Sequence, residues 1–202
     1  MDNDNEAPAR TGPTPIPTDP PEGFDPQRII VRELYRDQHN KPRYRLVDRR
    51  RRYISDTRFR QLVARVAGRD DWHGTTDNEE PEHHVLNIPV YLPSYIVVKI
   101  NDNLGPFSPP GIELTSANNA YGELRYVTRA GVISDQWPDE GCWVIYFAAL
   151  LRTGSVHGPY RQGINYYATQ GLYPPGEEAA YAREPIDPDI RYPGNGGQID
   201  EP

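Results

Sequence analysis

Past residue 84 the chain is a string of short apolar runs, each closed by turn-forming residues. Val85 to Tyr91, Tyr95 to Ile100, Ile112 to Thr115, Glu123 to Thr128, Cys142 to Leu151 and Ile164 to Ala168 are separated by Asn101-Asp102-Asn103, Gly105-Pro106, Pro109-Pro110-Gly111, Pro138-Asp139-Glu140-Gly141 and Gly158-Pro159. Runs of that length with Gly and Pro between them predict β-strands, and hence an antiparallel β-sandwich or partly open barrel over Val85 to Tyr192. Trp143 to Leu151 (WVIYFAALL) is apolar at odd and even positions alike, which predicts a strand covered on both faces. Its Ala-Ala-Leu-Leu end keeps a buried helix open as the alternative. Pro185, Pro188 and Pro193 limit the C-terminal stretch to an edge strand around Ile190, and residues 193–202 read as a flexible tail.

Ahead of this region the pattern is different. Arg28 to Tyr35 (RIIVRELY) is β-prone, residues 37–42 (DQHNKP) form a turn, and Arg43 to Asp48 (RYRLVD) alternates, which predicts a hairpin. Ser55 or Asp56 can then cap a helix in which Phe59, Leu62, Val63 and Val66 fall at i, i+3, i+4 and i+7. Gly68 ends it. Residues 28–69 thus read as a small ββα segment with Arg49 to Arg52 on the loop or strand end. Residues 70–84 (DDWHGTTDNEEPEHH) are polar and acidic, a linker or long surface loop that divides the chain. Residues 1–27 hold seven prolines and almost no apolar side chains. Such a segment cannot offset its ordering entropy by burial, so it is expected as a disordered, proline-rich arm, fixed only where a neighbour supplies a surface.

Charge sharpens this division. The net charge of −7 hides a balance of +10 over residues 28–69, where fourteen basic residues meet four acids. The rest of the chain carries −17, eight basic residues against twenty-five acids. Twenty of the 22 basic residues are Arg, whose planar fork binds carboxylate and phosphate bidentately and stacks on aromatic rings. Arg43, Arg45, Arg49, Arg50, Arg51, Arg52, Arg58 and Arg65, with Tyr44 and Tyr53 interleaved, are therefore the candidate partner- or polyanion-binding residues. Their natural partners are an acidic protein surface or nucleic acid. The fourteen tyrosines fit either an interface or ordinary strand packing.

Composition removes several classes. With 22 prolines, 17 glycines and 36% hydrophobic residues, a long helical bundle or coiled coil is excluded. Cys142, the one cysteine, can close no internal disulfide and build no cysteine-based zinc site, which suits a reducing compartment. The acidic start MDNDNEAPAR, with no apolar run behind it, is unlike a secretory signal. The longest strongly apolar run, Cys142 to Leu151, is half the ~20 residues that a membrane helix needs. The expected location is cytoplasmic, or within an intracellularly assembled particle.

Chemistry is sparse. No glycine-rich phosphate loop stands between a strand and a helix. Gly154 to Gly158 brings Ser155 near His157 but lacks the spacing of a nucleophile elbow, and a turn explains it better. The acidic stretch with His73, His83 and His84 matches no metal-ligand spacing, and adjacent histidines in a strand point to opposite faces. Asp187 and Asp189 lack the rest of a calcium loop. No cofactor or metal is expected.

One local pattern has a counterpart elsewhere. Arg45-Leu46-Val47-Asp48, then Tyr53-Ile54-Ser55 and Leu62-Val63 on a helix, resembles over about twenty residues the small DNA-binding module of polyhydroxyalkanoate synthesis regulators, with Val47 at the position of a tyrosine and one residue fewer between Asp48 and Tyr53. The resemblance implies a ββα shape. The leading expectation is a non-enzymatic structural or assembly protein that uses its arm and Arg-rich segment to bind neighbouring subunits, as a homo-oligomer, or an acidic partner. A nucleic-acid-binding protein contacting phosphates through residues 28–69 is second, and a metal-dependent or Ser/His hydrolase third.

Overall fold

A computed structural model describes residues 13–36, 42–68, 75–76, 88–115, 118–150, 160–169 and 189–192, with the backbone alone for 42–51, 75–76, 89, 160–161 and 189–192. The chain is mainly β. Its elements are β1 (Arg28–Arg36), β2 (Pro42–Arg52), α1 (Asp56–Ala67), β3 (Thr75–Thr76), β4 (Ile88–Pro89), β5 (Ser94–Ile100), β6 (Phe107–Leu114), β7 (Tyr121–Val127), β8 (Ile133–Ser134), β9 (Val144–Ala149), β10 (Tyr160–Ala168) and β11 (Asp189–Tyr192). They form two open sheets, ordered β3-β2-β1-β5-β9-β7-β8 and β4-β11-β10-β6, and no closed barrel.

The first sheet is apolar on both faces at its centre. In β5 and β9 alternate residues go to opposite sides: Tyr95, Val97, Val144 and Tyr146 join Phe59, Leu62, Val63 and Val66 of α1 in one buried cluster. Ile96, Val98, Ile145 and Phe147 meet Ile112, Leu114, Ile164 and Tyr166 of the second sheet in the other. The run around Trp143 to Leu151 is thus a strand and not a helix. Its neighbours on both sides supply the hydrogen bonds, and apolar layers lie above and below.

Several expectations change. The first sheet is mixed, not antiparallel, because β1 runs parallel to β5 from Arg28 opposite Ser94 to Leu34 opposite Ile100. For the same reason residues 28–69 are not set apart as a module of their own: β1 and β2 belong to the same sheet as β5, β9 and β7, and of the expected linker only Thr75–Thr76 is described, paired with Arg45 and Leu46. Within the strand expected over Val85 to Tyr91, Ile88–Pro89 is strand and Val90 and Tyr91 are not, and Ile190 lies on β11 between β10 and β4.

A further change concerns the arm. Residues 13–27 are not disordered but run as a strap across the edges of both sheets. Thr14 and Leu114 exchange a pair of backbone hydrogen bonds of 2.8 Å each, adding a rung to the free edge of β6. Leu124 donates to the Pro17 carbonyl at 3.0 Å and Glu123 to that of Asp19 at 2.7 Å, while Arg125 Nη1 donates to Thr18 O. Prolines carry no N–H, so a segment in which they alternate can offer carbonyls to an edge without needing acceptors in return. Ile16, 3% exposed, anchors the strap in the core between the sheets, a burial that contributes about 1.5–3 kcal/mol. The seat is cut to fit: a Cβ at Gly122 would lie 2.2 Å from the Asp19 carbonyl, so a side chain there evicts the strap. The surface that orders this low-hydrophobicity segment comes from its own chain. Residues 1–12 and 193–202 lie outside the described residues.

Candidate functional site

The Arg-rich segment ends at a corner where β2, α1 and the start of β1 meet. β2 places eleven residues against the nine of β1, and the surplus is absorbed in bulges: Arg49 and Arg50 stand between the pairs Ile29–Arg51 and Val31–Asp48, and Val47 between Val31–Asp48 and Arg32–Leu46. Extra residues in one strand bend it and steepen its twist. Arg49 to Arg52, expected on a loop or strand end, thus lie within the last four residues of β2, and the register sets Arg52 directly opposite Arg28.

The chain then turns into α1. Tyr53 N donates to Gln27 O at 2.9 Å, and the Ser55 side chain caps the helix by accepting from Arg58 N. Phe59, Leu62, Val63 and Val66 face the sheet as the spacing predicts. Ala64 abuts Gly131 in the β7–β8 turn, where even a Cβ would approach Ala64 Cβ to 2.9 Å. Arg58 and Arg65, seven residues apart, share one exposed face of the helix. Arg52, Arg58 and Arg65 are all exposed, and Ile54, between strand and helix, is 65% exposed.

Under the corner lies a block of rings. Phe59 stacks on Tyr95 with centroids 4.2 Å apart, Phe24 meets Tyr95 edge-on at 5.1 Å, and Tyr146 meets Phe59 edge-on at 5.0 Å. Tyr53 leans on both Phe59 and Tyr95. Its hydroxyl donates to Asp56 Oδ1, and that of Tyr95 donates to Glu123 Oε2 at 2.7 Å. Burial first, and then the acceptor carboxylate, push both phenols well above their ordinary range; burial and the nearby Glu123 push Tyr146 up to about 12. Glu123 takes a left-handed φ of 52° at the β7–β9 bulge, held by its N–H on Asp19 O and its carboxylate on Tyr95. The block makes the corner a fixed platform.

Of the sequence-predicted site residues, Arg52 ends β2 and Arg58 lies in the first turn of α1, at this corner, whereas Arg65 lies in the last turn of α1, away from it; all three are exposed. Arg43, Tyr44, Arg45, Arg49, Arg50 and Arg51 are placed by backbone alone, along β2, with Arg43 opposite Tyr35, Tyr44 opposite Leu34 and Arg45 opposite Glu33. Tyr53 sits with its ring against Phe59 and Tyr95. Arg28 and Ile54 were not singled out from sequence. Arg28 reaches Arg52 only through a register that two bulges shift; Ile54 had a readable signal, because it follows Tyr53, which turns inward, and precedes the cap.

Cys142 is fully buried, its Sγ on Val144 O at 3.3 Å, and burial pushes its thiol up to about 12, so it packs as a small apolar group. His73, His83, His84, Ser155, His157 and Asp187 lie outside the described residues, and Asp189 is placed by backbone alone. Among the described residues no group of His, Cys, Asp and Glu is placed to hold a metal ion, and no helix is long and apolar enough to cross a membrane. No protein-family model matches the chain, and no curated protein matches it.

Proposed function

We propose that the protein is a non-enzymatic interaction protein that joins neighbouring copies of itself, or an acidic partner, through the arginine corner. The observation that carries this reading is the gathering of cations where β2 runs into α1: four arginines close β2, with Arg52 opposite Arg28 in the register, and exposed Ile54 and Arg58 follow in the chain. Ile54, exposed and flanked in sequence by exposed Arg52 and Arg58, offers an apolar contact next to charged ones, as interfaces do. The −17 outside residues 28–69 gives a second copy the complementary sign. The two sheets with a shared core fit the sandwich expectation, and a lone buried cysteine fits a reducing intracellular setting.

Light scattering on the eluting full chain, with and without the double substitution Arg52→Glu and Arg58→Glu, tests the proposal. The expected result is concentration-dependent association that weakens by about tenfold or more in the variant. A wild-type chain that stays monomeric at high concentration and retrieves no partner would sink it, as would association that the charge reversal leaves untouched.

A second reading, docking on nucleic acid, draws on the four consecutive arginines that close β2. It requires retention of DNA or RNA that falls steeply between about 50 and 200 mM salt, since each phosphate contact releases counterions.

A further inference from the structure

The strap over residues 13–19 is built like a detachable part. It touches the body through one buried apolar side chain, Ile16, and a handful of hydrogen bonds at sheet edges, while the strands on either side of its seat are paired without it. Between strap and body is a turn, Pro21-Glu22-Gly23-Phe24, closed by Phe24 N donating to Pro21 O at 3.1 Å. Gly23 holds it with a φ of 72°, and a Cβ there would meet nothing within 4 Å. Pro21 and Phe24 at its ends are packed, on Gly122 and on Tyr95, so Gly23 is the one point of the turn that backbone conformation alone holds. Beyond it the chain is fixed again, by Phe24 on Tyr95 and by Gln27 N on Pro93 O.

We propose that this turn is a hinge and that the seat along β6 and β7 takes residues 13–19 of a second copy, so that two chains exchange straps. With Gly23 extended, Pro20 and Pro21 stiffen the connection and carry the strap away from its own seat. A neighbour's empty seat then offers the same Ile16 site, the same Leu114 rung and the same Gly122 gap. Each interaction broken within one chain is remade between two, so the exchange costs association entropy and hinge conformation alone. The surface is separate from the arginine corner and goes beyond the reading above.

The pairing of Thr14 with Leu114 supplies the test. Because those two exchange both hydrogen bonds, extending their antiparallel register by one position sets residues 13 and 115 opposite each other as a non-hydrogen-bonded pair, a spacing that suits a disulfide. Full-length chains carrying Pro13→Cys and Thr115→Cys are co-expressed, one of them tagged, then oxidised and separated without reductant; buried Cys142 takes no part. Exchange predicts a covalent dimer of the two different chains. Gly23→Val, which disfavours the closed turn, raises its yield by about tenfold where that yield starts small. A single chain with both cysteines shows whether the pair is in reach. If it closes internally while the mixture stays unlinked, or yields dimers of like chains alone, the straps do not exchange. If it fails to close, the seat itself is wrong and the proposal falls with it. Charge reversal at Arg52 and Arg58 leaves the 13–115 bridge intact, so each proposal fails by its own measurement.

Discussion

Cys142 and Tyr146 keep their protons in the folded chain up to about 12, whereas a free thiol and a free phenol release theirs near 9.0 and 10.0. Between those limits the unfolded state binds fewer protons than the native one, so stability falls as pH rises. Below about pH 9 the contribution is fully present, and above about 12 nothing further is lost. Urea midpoints at about pH 8, 10 and 11 measure it, with the decline expected to begin between the first two. A midpoint constant to about pH 11 contradicts the burial of both groups. Cys142 was readable as a buried hydrophobe from the apolar run it precedes. Glu123 was not readable, since nothing in its neighbours announces a left-handed backbone; that conformation comes from the strap's carbonyl and the Tyr95 hydroxyl, both distant in sequence.

Among the elements, α1 was the most legible because everything that makes it is local. Ser55 caps it, Asp56 sits at its positive end, Arg65 at its negative end, and the stripe of Phe59, Leu62, Val63 and Val66 faces the sheet. Ser55→Ala is expected to destabilise the chain by about 0.5–2 kcal/mol, read as a lower urea midpoint with the slope unchanged; no change would mean that another group caps the helix. Strands β5, β7, β9 and β10 were visible as runs, but their partners were not. β2 was legible over Arg43 to Asp48, whose alternation marks a hairpin strand, but not over Arg49 to Arg52. Those arginines resemble a solvated loop, and only pairing with β1, through bulges at Val47 and at Arg49 and Arg50, makes them strand. The strap was hidden for the same reason: its composition says it cannot bury much surface, which is true, yet one isoleucine and the edges of two sheets are enough to place it.

At the level of the whole molecule the parallel pair of β1 and β5 decides how many units there are. It draws the +10 segment into the sheet that carries β9 and β7, and α1 rests on that same sheet. A charge boundary in sequence is therefore no boundary in the fold. One cooperative unfolding transition is expected, superimposable by far-ultraviolet dichroism and by tryptophan fluorescence, whose reporters include Trp137 and Trp143 packed on the core between the sheets. Two separated transitions would restore the view of a free-standing module ahead of residue 70.

The rung between Thr14 and Leu114 also orders events at birth. Its halves are 100 positions apart, so at ~5–20 residues per second the start of the chain waits roughly 5–20 s for the strand that receives it. Through most of that interval Ile16 has no place to hide and β1 has no β5, and loop closure over such spans is slow. The nascent chain thus emerges with its ends unspoken for, and the prolines and acids that crowd its first 27 residues keep them from sticking to anything in the meantime.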